Sequence, residues 1–133
     1  MSTHDATEAR LFEDRRKEER LPTSLTVEIR RRRRDREAFS GEVLDLSRGG
    51  LGLRLDRRAE LQVRWACQAS SSKEVDVLLQ LPSETALVPV EARCRVVWSR
   101  DAGQDRSCMG LEVIEFLGNG RKAMEDFLAT HLK

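Results

Sequence analysis

The stretch that most constrains the fold is Asp45-Leu-Ser-Arg-Gly-Gly50, a polar turn held between two segments that alternate like strands. Upstream runs Phe39-Ser-Gly-Glu-Val-Leu44, and downstream Leu51, Leu53 and Leu55 share one face, so the segment reads as strand, tight turn, strand. Asp and Ser side chains fold back onto nearby amides in such turns. Adjacent glycines permit positive φ and let another molecule approach the main chain. Any chemistry is expected at this turn.

The same period of two recurs along the chain. Leu25, Val27 and Ile29 mark a first strand from Ser24, Phe39 to Leu46 a second, and Leu51 to Leu55 a third. Val75, Val77 and Leu79 mark a fourth strand from Glu74, stopped by Pro82, and Ala92, Cys94, Val96 and Trp98 a fifth over Val90 to Ser99. A hairpin loop at Asp101 to Arg106 leads into a sixth, Ser107 to Phe116. Arg57 to Ala66, with Leu61, Val63 and Trp65, reads as a loop or a short helix, and Ser70 to Lys73 as a flexible connection. The strands otherwise follow one another without a helical pattern.

The period then changes. Past Gly118-Asn119-Gly120, residues Ala123, Met124, Phe127, Leu128 and Leu132 recur at helical spacing with Asn119 as a candidate cap, which predicts a helix over 119–132. Six antiparallel strands leave edges and a half-buried face, and closing them on themselves removes both problems. The expected fold is all-β dominated: a six-stranded antiparallel β-barrel with a C-terminal α-helix and a flexible N-terminal arm. In 133 residues there is room for one core. The expected organisation is a tail over 1–14 and a single domain over 15–133, with an arm at 15–22 and the barrel at 23–117.

Charge is distributed unevenly. Residues 15–36 hold ten Lys or Arg against four Asp or Glu, although the whole chain nets only +1. Twenty of the 24 basic residues are Arg, whose planar fork binds phosphate and the guanine O6/N7 edge in pairs of hydrogen bonds. An anionic ligand containing a purine fits this bias; so do a high-GC genome and solvated strand faces. The run Arg30 to Arg34 reads as a solvated hairpin, because like charges resist burial.

Other function classes find little support. No run of 18 apolar residues suggests a membrane span, and residues 1–14 lack the apolar core of a secretory signal, so a cytoplasmic protein is expected. Cys67, Cys94 and Cys108 are odd in number and widely spaced, with His4 and His131 at the chain ends, so neither a disulfide framework nor a metal site is expected. Ser47 has no neighbouring His to act as a base, and no catalytic residue is assigned.

The combination of Arg16-x-x-x-Arg20, preceded by Arg15, with Asp45-x-Ser47-x-x-Gly50 resembles the PilZ domain, a bacterial receptor for cyclic di-GMP. Gly41 to Ser47, Leu79-Gln-Leu-Pro82, Cys94-Arg-Val-Val-Trp98 and Met109-Gly-Leu-Glu-Val113 follow the family's order, covering roughly residues 13 to 130. Arg-x-x-x-Arg by itself says little, since Arg30 to Arg34, Arg32 to Arg36 and Arg54 to Arg58 also satisfy it.

The resemblance implies a ligand-contacting set of Arg16, Arg20, Asp45, Ser47 and Gly50, with Arg15 as in members that bind an intercalated ligand dimer. Gly49 admits the ligand to the backbone, and Arg48 is a further candidate phosphate contact. Arginines suit phosphates and guanine faces, the Asp45 carboxylate suits the N1 and N2 donors of guanine, and the Ser47 hydroxyl can donate. The ligand is cyclic di-GMP and no cofactor is implied. A mobile arm would close on the ligand and signal through an unidentified protein partner. The alternatives are an interaction module of the same fold without ligand binding, or a basic nucleic-acid binder, which the 5% aromatic content and absence of Tyr disfavour.

Overall fold

The computed structural model describes residues 20–31, 38–70 and 73–131. Its strands are β1 (Leu21–Arg30), β2 (Phe39–Ser47), β3 (Gly50–Asp56), β4 (Glu74–Pro82), β5 (Leu87–Gly103) and β6 (Arg106–Leu117), with helices α1 (Arg57–Ser70) between β3 and β4 and α2 (Gly120–His131) at the end. The sheet closes in the order β1-β2-β3-β6-β5-β4, with β4 pairing back onto β1 and every pair antiparallel.

Closure follows from the alternation. Val27 and Ile29 on β1, Val43 and Leu46 on β2, Leu51, Leu53 and Leu55 on β3, and Val75 to Leu81 in steps of two on β4 all point inward and are buried. Val90, Ala92 and Cys94 of β5 and Met109 and Leu111 of β6 complete the interior. Each fully buried Leu or Val contributes roughly 1.5–3 kcal/mol, which makes this filled lumen the main source of stability.

The strands run longer than expected at several ends. β1 begins at Leu21 rather than Ser24, because Leu21 and Pro22 pair with Leu46 and Asp45 of β2. β5 and β6 extend to a tight turn at Gln104 and Asp105, both with positive φ. Of the arginine run expected to form a solvated hairpin, Arg30 and Arg31 lie within the described residues and Arg32 to Arg34 lie outside them.

The larger correction is α1, a 14-residue helix where a loop or short helix was expected. Leu61, Val63 and Trp65 suggest a period of two, but the buried positions are Ala59, Val63 and Cys67, one turn apart, facing the barrel. Asp56 starts the helix by accepting a hydrogen bond from the Ala59 amide at 2.7 Å. Arg57 anchors it to the β5–β6 hairpin, donating its amide to the Asp105 carbonyl at 2.8 Å and its guanidinium to Asp101 at 2.8 Å.

At the C-terminus the Asn119 carbonyl accepts from the Ala123 amide at 3.1 Å, which places Asn119 at the helix start as its sequence position suggests. Met124 and Leu128 bury one face of α2. No described helix is long and apolar enough to cross a membrane.

Candidate functional site

The site is built on the outer face of β2, β3, β6 and β5, where register decides which side chains meet. Residues opposite one another in an antiparallel ladder point the same way and sit about 5 Å apart. Pro22, Asp45, Gly52, Gly110 and Trp98 form one such row across five strands. Bulges between Val43 and Asp45 and between Val96 and Trp98 re-aim both ends of it.

The two glycines make a trough. A β-carbon on Gly52 would lie 2.8 Å from the Asp45 carboxylate, and one on Gly110 would lie 2.1 Å from the Trp98 indole nitrogen. Asp45 therefore lies down over Gly52 from one side and Trp98 lies down over Gly110 from the other. The floor between them is bare backbone.

Cations surround this floor. Arg20, just before β1, reaches across to form an ion pair with Asp45, each side chain about one-third exposed. Glu42, Arg54, Cys108 and Arg100 form the neighbouring row on one side. Arg54 pairs with Glu42 at 2.5 Å while its buried Nε has no acceptor among the described residues, and Arg100 stacks on Trp98 with its guanidinium carbon 5.3 Å from the ring centre. Ser47, Gly50, Glu112 and Arg95 form the row on the other side.

The structure thus unites two elements 25 residues apart in sequence, Arg20 and Asp45. Arg15 and Arg16 lie outside the described residues. Ser47 faces the same side as Asp45 but is 1% exposed, and its hydroxyl makes a long contact of 3.5 Å with the Gly50 carbonyl across the turn. Arg48 is exposed at the turn.

The turn glycines differ from expectation in their backbone conformation. Neither Gly49 nor Gly50 has positive φ; Gly103 and Gly118 are the described glycines that do. Gly50 is needed because a β-carbon there would stand 2.6 Å from the Leu111 carbonyl oxygen, while the Gly49 carbonyl accepts from the Val113 amide at 2.8 Å. Both positions seat the turn against β6.

Trp98, Gly52, Gly110, Arg54 and Arg100 escaped the sequence reading of the site. One signal for the glycines was present: each interrupts an apolar alternation at an outward position, Leu51-Gly-Leu53 and Met109-Gly-Leu111, where a strand glycine marks close approach.

A depression of about 460 Å³ lies at the far end of the β2–β3 hairpin, lined by Glu42, Arg54, Asp56 and Asp105 among others. It holds none of the motif residues. Among the described residues no cluster of three metal-ligating side chains occurs.

The sequence profile of the PilZ domain matches residues 14–130. No curated protein matches in sequence. The fold is similar to the inhibitor of motility MotI from Bacillus subtilis, at 20% identity and a TM-score of 0.64, covering 85% of this chain and 49% of that one. It is also similar to PlzA of Borreliella burgdorferi, solved with c-di-GMP, at 14% identity and a TM-score of 0.58, covering 96% and 57%. The c-di-GMP-bound PilZ domain of YcgR from Escherichia coli gives 14% identity and a TM-score of 0.56, covering 89% and 92%. The chain spans about half the length of MotI and PlzA.

Proposed function

This chain belongs to the PilZ domain family, and on that basis we propose that its outer-face trough is a receptor site for cyclic di-GMP, in a protein that binds and signals rather than catalyses. The observation that carries the reading is the placement of Asp45 and Trp98 on either side of the Gly52–Gly110 floor, with Arg20 already joined to Asp45.

The chemistry matches the ligand group by group. A guanine edge presents N1 and N2 donors that Asp45 accepts, while O6 and N7 suit an arginine fork. A flat base stacks on an indole face, and Trp98 lies beside a floor without side chains. Two phosphates call for cations, and Arg20, Arg54 and Arg100 stand at the rim, with Arg15, Arg16 and Arg48 contributing from the arm and turn. Arg20 then exchanges its bond to Asp45 for the ligand, carrying the arm with it, and the change is read by a protein partner in the cytoplasm. PlzA and the YcgR domain, solved with this dinucleotide, support the ligand's identity.

A thermal-shift titration tests it. Cyclic di-GMP raises the unfolding midpoint, since a ligand at a hundred times its Kd stabilises the folded state by about 2.7 kcal/mol, and cyclic di-AMP at the same concentration does not. Equal midpoints with and without cyclic di-GMP would remove the reading.

A further inference from the structure

Helix α1 uses one face to close the barrel and leaves the other bare. Ala59, Val63 and Cys67 are buried, whereas Leu61 and Trp65, one turn apart on the opposite face, are 51% and 71% exposed. An indole left this open is unusual, because tryptophan carries a large apolar area that is normally covered. Beside this ridge runs a cleft of about 410 Å³, lined by Val63, Cys67 and Met109 and by Val97 and Trp98 of β5.

Among the described residues that line it, the charged side chains are Arg64 and Lys73, and none is a carboxylate. The single acid of α1, Glu60, is 3% exposed and turned onto Arg64 in an ion pair, while Arg58, exposed on the outer face, has no ion-pair partner among the described residues. Exposed Trp and Arg set around an apolar cleft are the residue types that anchor protein interfaces. Two apolar side chains on a helix whose other face is occupied supply too little area for a bilayer.

We propose that the Leu61–Trp65 ridge and the adjoining cleft form the docking surface for a protein partner that offers an apolar anchor within an acidic segment. The surface stands independently of the dinucleotide reading; only its regulation rests on it. Trp98 is the shared element, one wall of the cleft and one wall of the glycine trough, so a base stacked on the indole alters the shape the partner meets.

The test uses the full chain, isotope-labelled, with an amphipathic helical peptide of Leu and Glu as the probe and a Leu and Lys twin as control, each with and without cyclic di-GMP. The acidic peptide shifts the resonances of Leu61, Trp65 and Val97. Trp65→Ala, or Arg58→Glu combined with Lys73→Glu, weakens it about tenfold or more. Trp65→Ala leaves cyclic di-GMP affinity unchanged, and the dinucleotide changes peptide affinity in the wild type.

Equal binding of the basic peptide, or no shift at α1, overturns the proposal. So does self-association through α1 without peptide, or tighter binding to anionic vesicles than to peptide. Peptide docking on α1 without dinucleotide binding would overturn the receptor reading and the coupling alone, leaving the surface intact.

Discussion

Gly52 stands opposite Gly110 across the β3–β6 ladder, and the lack of both β-carbons lets the Asp45 carboxylate and the Trp98 indole lie toward each other over bare backbone. Neither side chain could take its place over an alanine. The trough is thus a property of two glycines 58 residues apart, brought together by barrel closure.

Substitution separates these glycines from Gly50. An added β-carbon at Gly110 meets a side chain, whereas at Gly50 it meets the Leu111 carbonyl at 2.6 Å, which belongs to the ladder itself. Gly110→Ala therefore displaces the indole, changes tryptophan fluorescence and weakens ligand binding more than it lowers stability. Gly50→Ala costs about 1–3 kcal/mol of stability, the usual cost of forcing backbone apart, read as a lower urea midpoint.

The Arg20–Asp45 pair is expected to matter for binding and little for folding. Both partners are about one-third exposed, and surface pairs contribute roughly 0–1 kcal/mol. Asp45→Asn keeps the melting temperature within a few degrees of wild type while reducing cyclic di-GMP affinity. A large loss of stability would make the pair structural instead.

The barrel lumen and the α1 ridge predict opposite responses to truncation. Leu53 is fully buried, so Leu53→Ala loses about 2–5 kcal/mol in denaturant unfolding. Leu61 is 51% exposed, and Leu61→Ala stays within about 0.5 kcal/mol.

Burial pushes the Cys94 thiol up to about 12, with Asp76 adding to the shift. Above pH 9 the unfolded chain releases this proton while the folded chain keeps it, so the contribution is intact below pH 9 and is lost as pH rises toward 12. Stability should fall by about 1.4 kcal/mol per pH unit in that window from this group, and Cys94→Ala should remove that part of the slope. In native protein the buried Cys94 should also resist thiol reagents that reach the half-buried Cys108.

Strand identity was legible because each strand alternates and its inward residues carry the signal, as Val75, Val77, Leu79 and Leu81 do. Helix α1 was obscured because Leu61 and Trp65 are apolar yet exposed, so they masked the Ala59, Val63 and Cys67 spacing that faces the core. The turn motif and the Arg-x-x-x-Arg element were legible separately, and the structure shows that Arg20 of the one pairs with Asp45 of the other. Trp98 and the glycine floor depend on β3 pairing with β6, a non-local choice that local pattern does not encode. Gly50 was read for freedom of φ and for ligand approach to the main chain; its φ is not positive, and a β-carbon there would crowd the Leu111 carbonyl.

Titration calorimetry with cyclic di-GMP, on the wild type and on Arg20→Ala, Asp45→Asn and Trp98→Ala proteins with native circular dichroism, probes the trough most directly. Wild-type protein should bind, and each variant should bind at least about tenfold more weakly, the usual cost of losing a charged hydrogen bond or a stacked ring. A folded wild type that does not bind, or variants that bind as tightly as it does, would contradict a ligand site between Asp45 and Trp98.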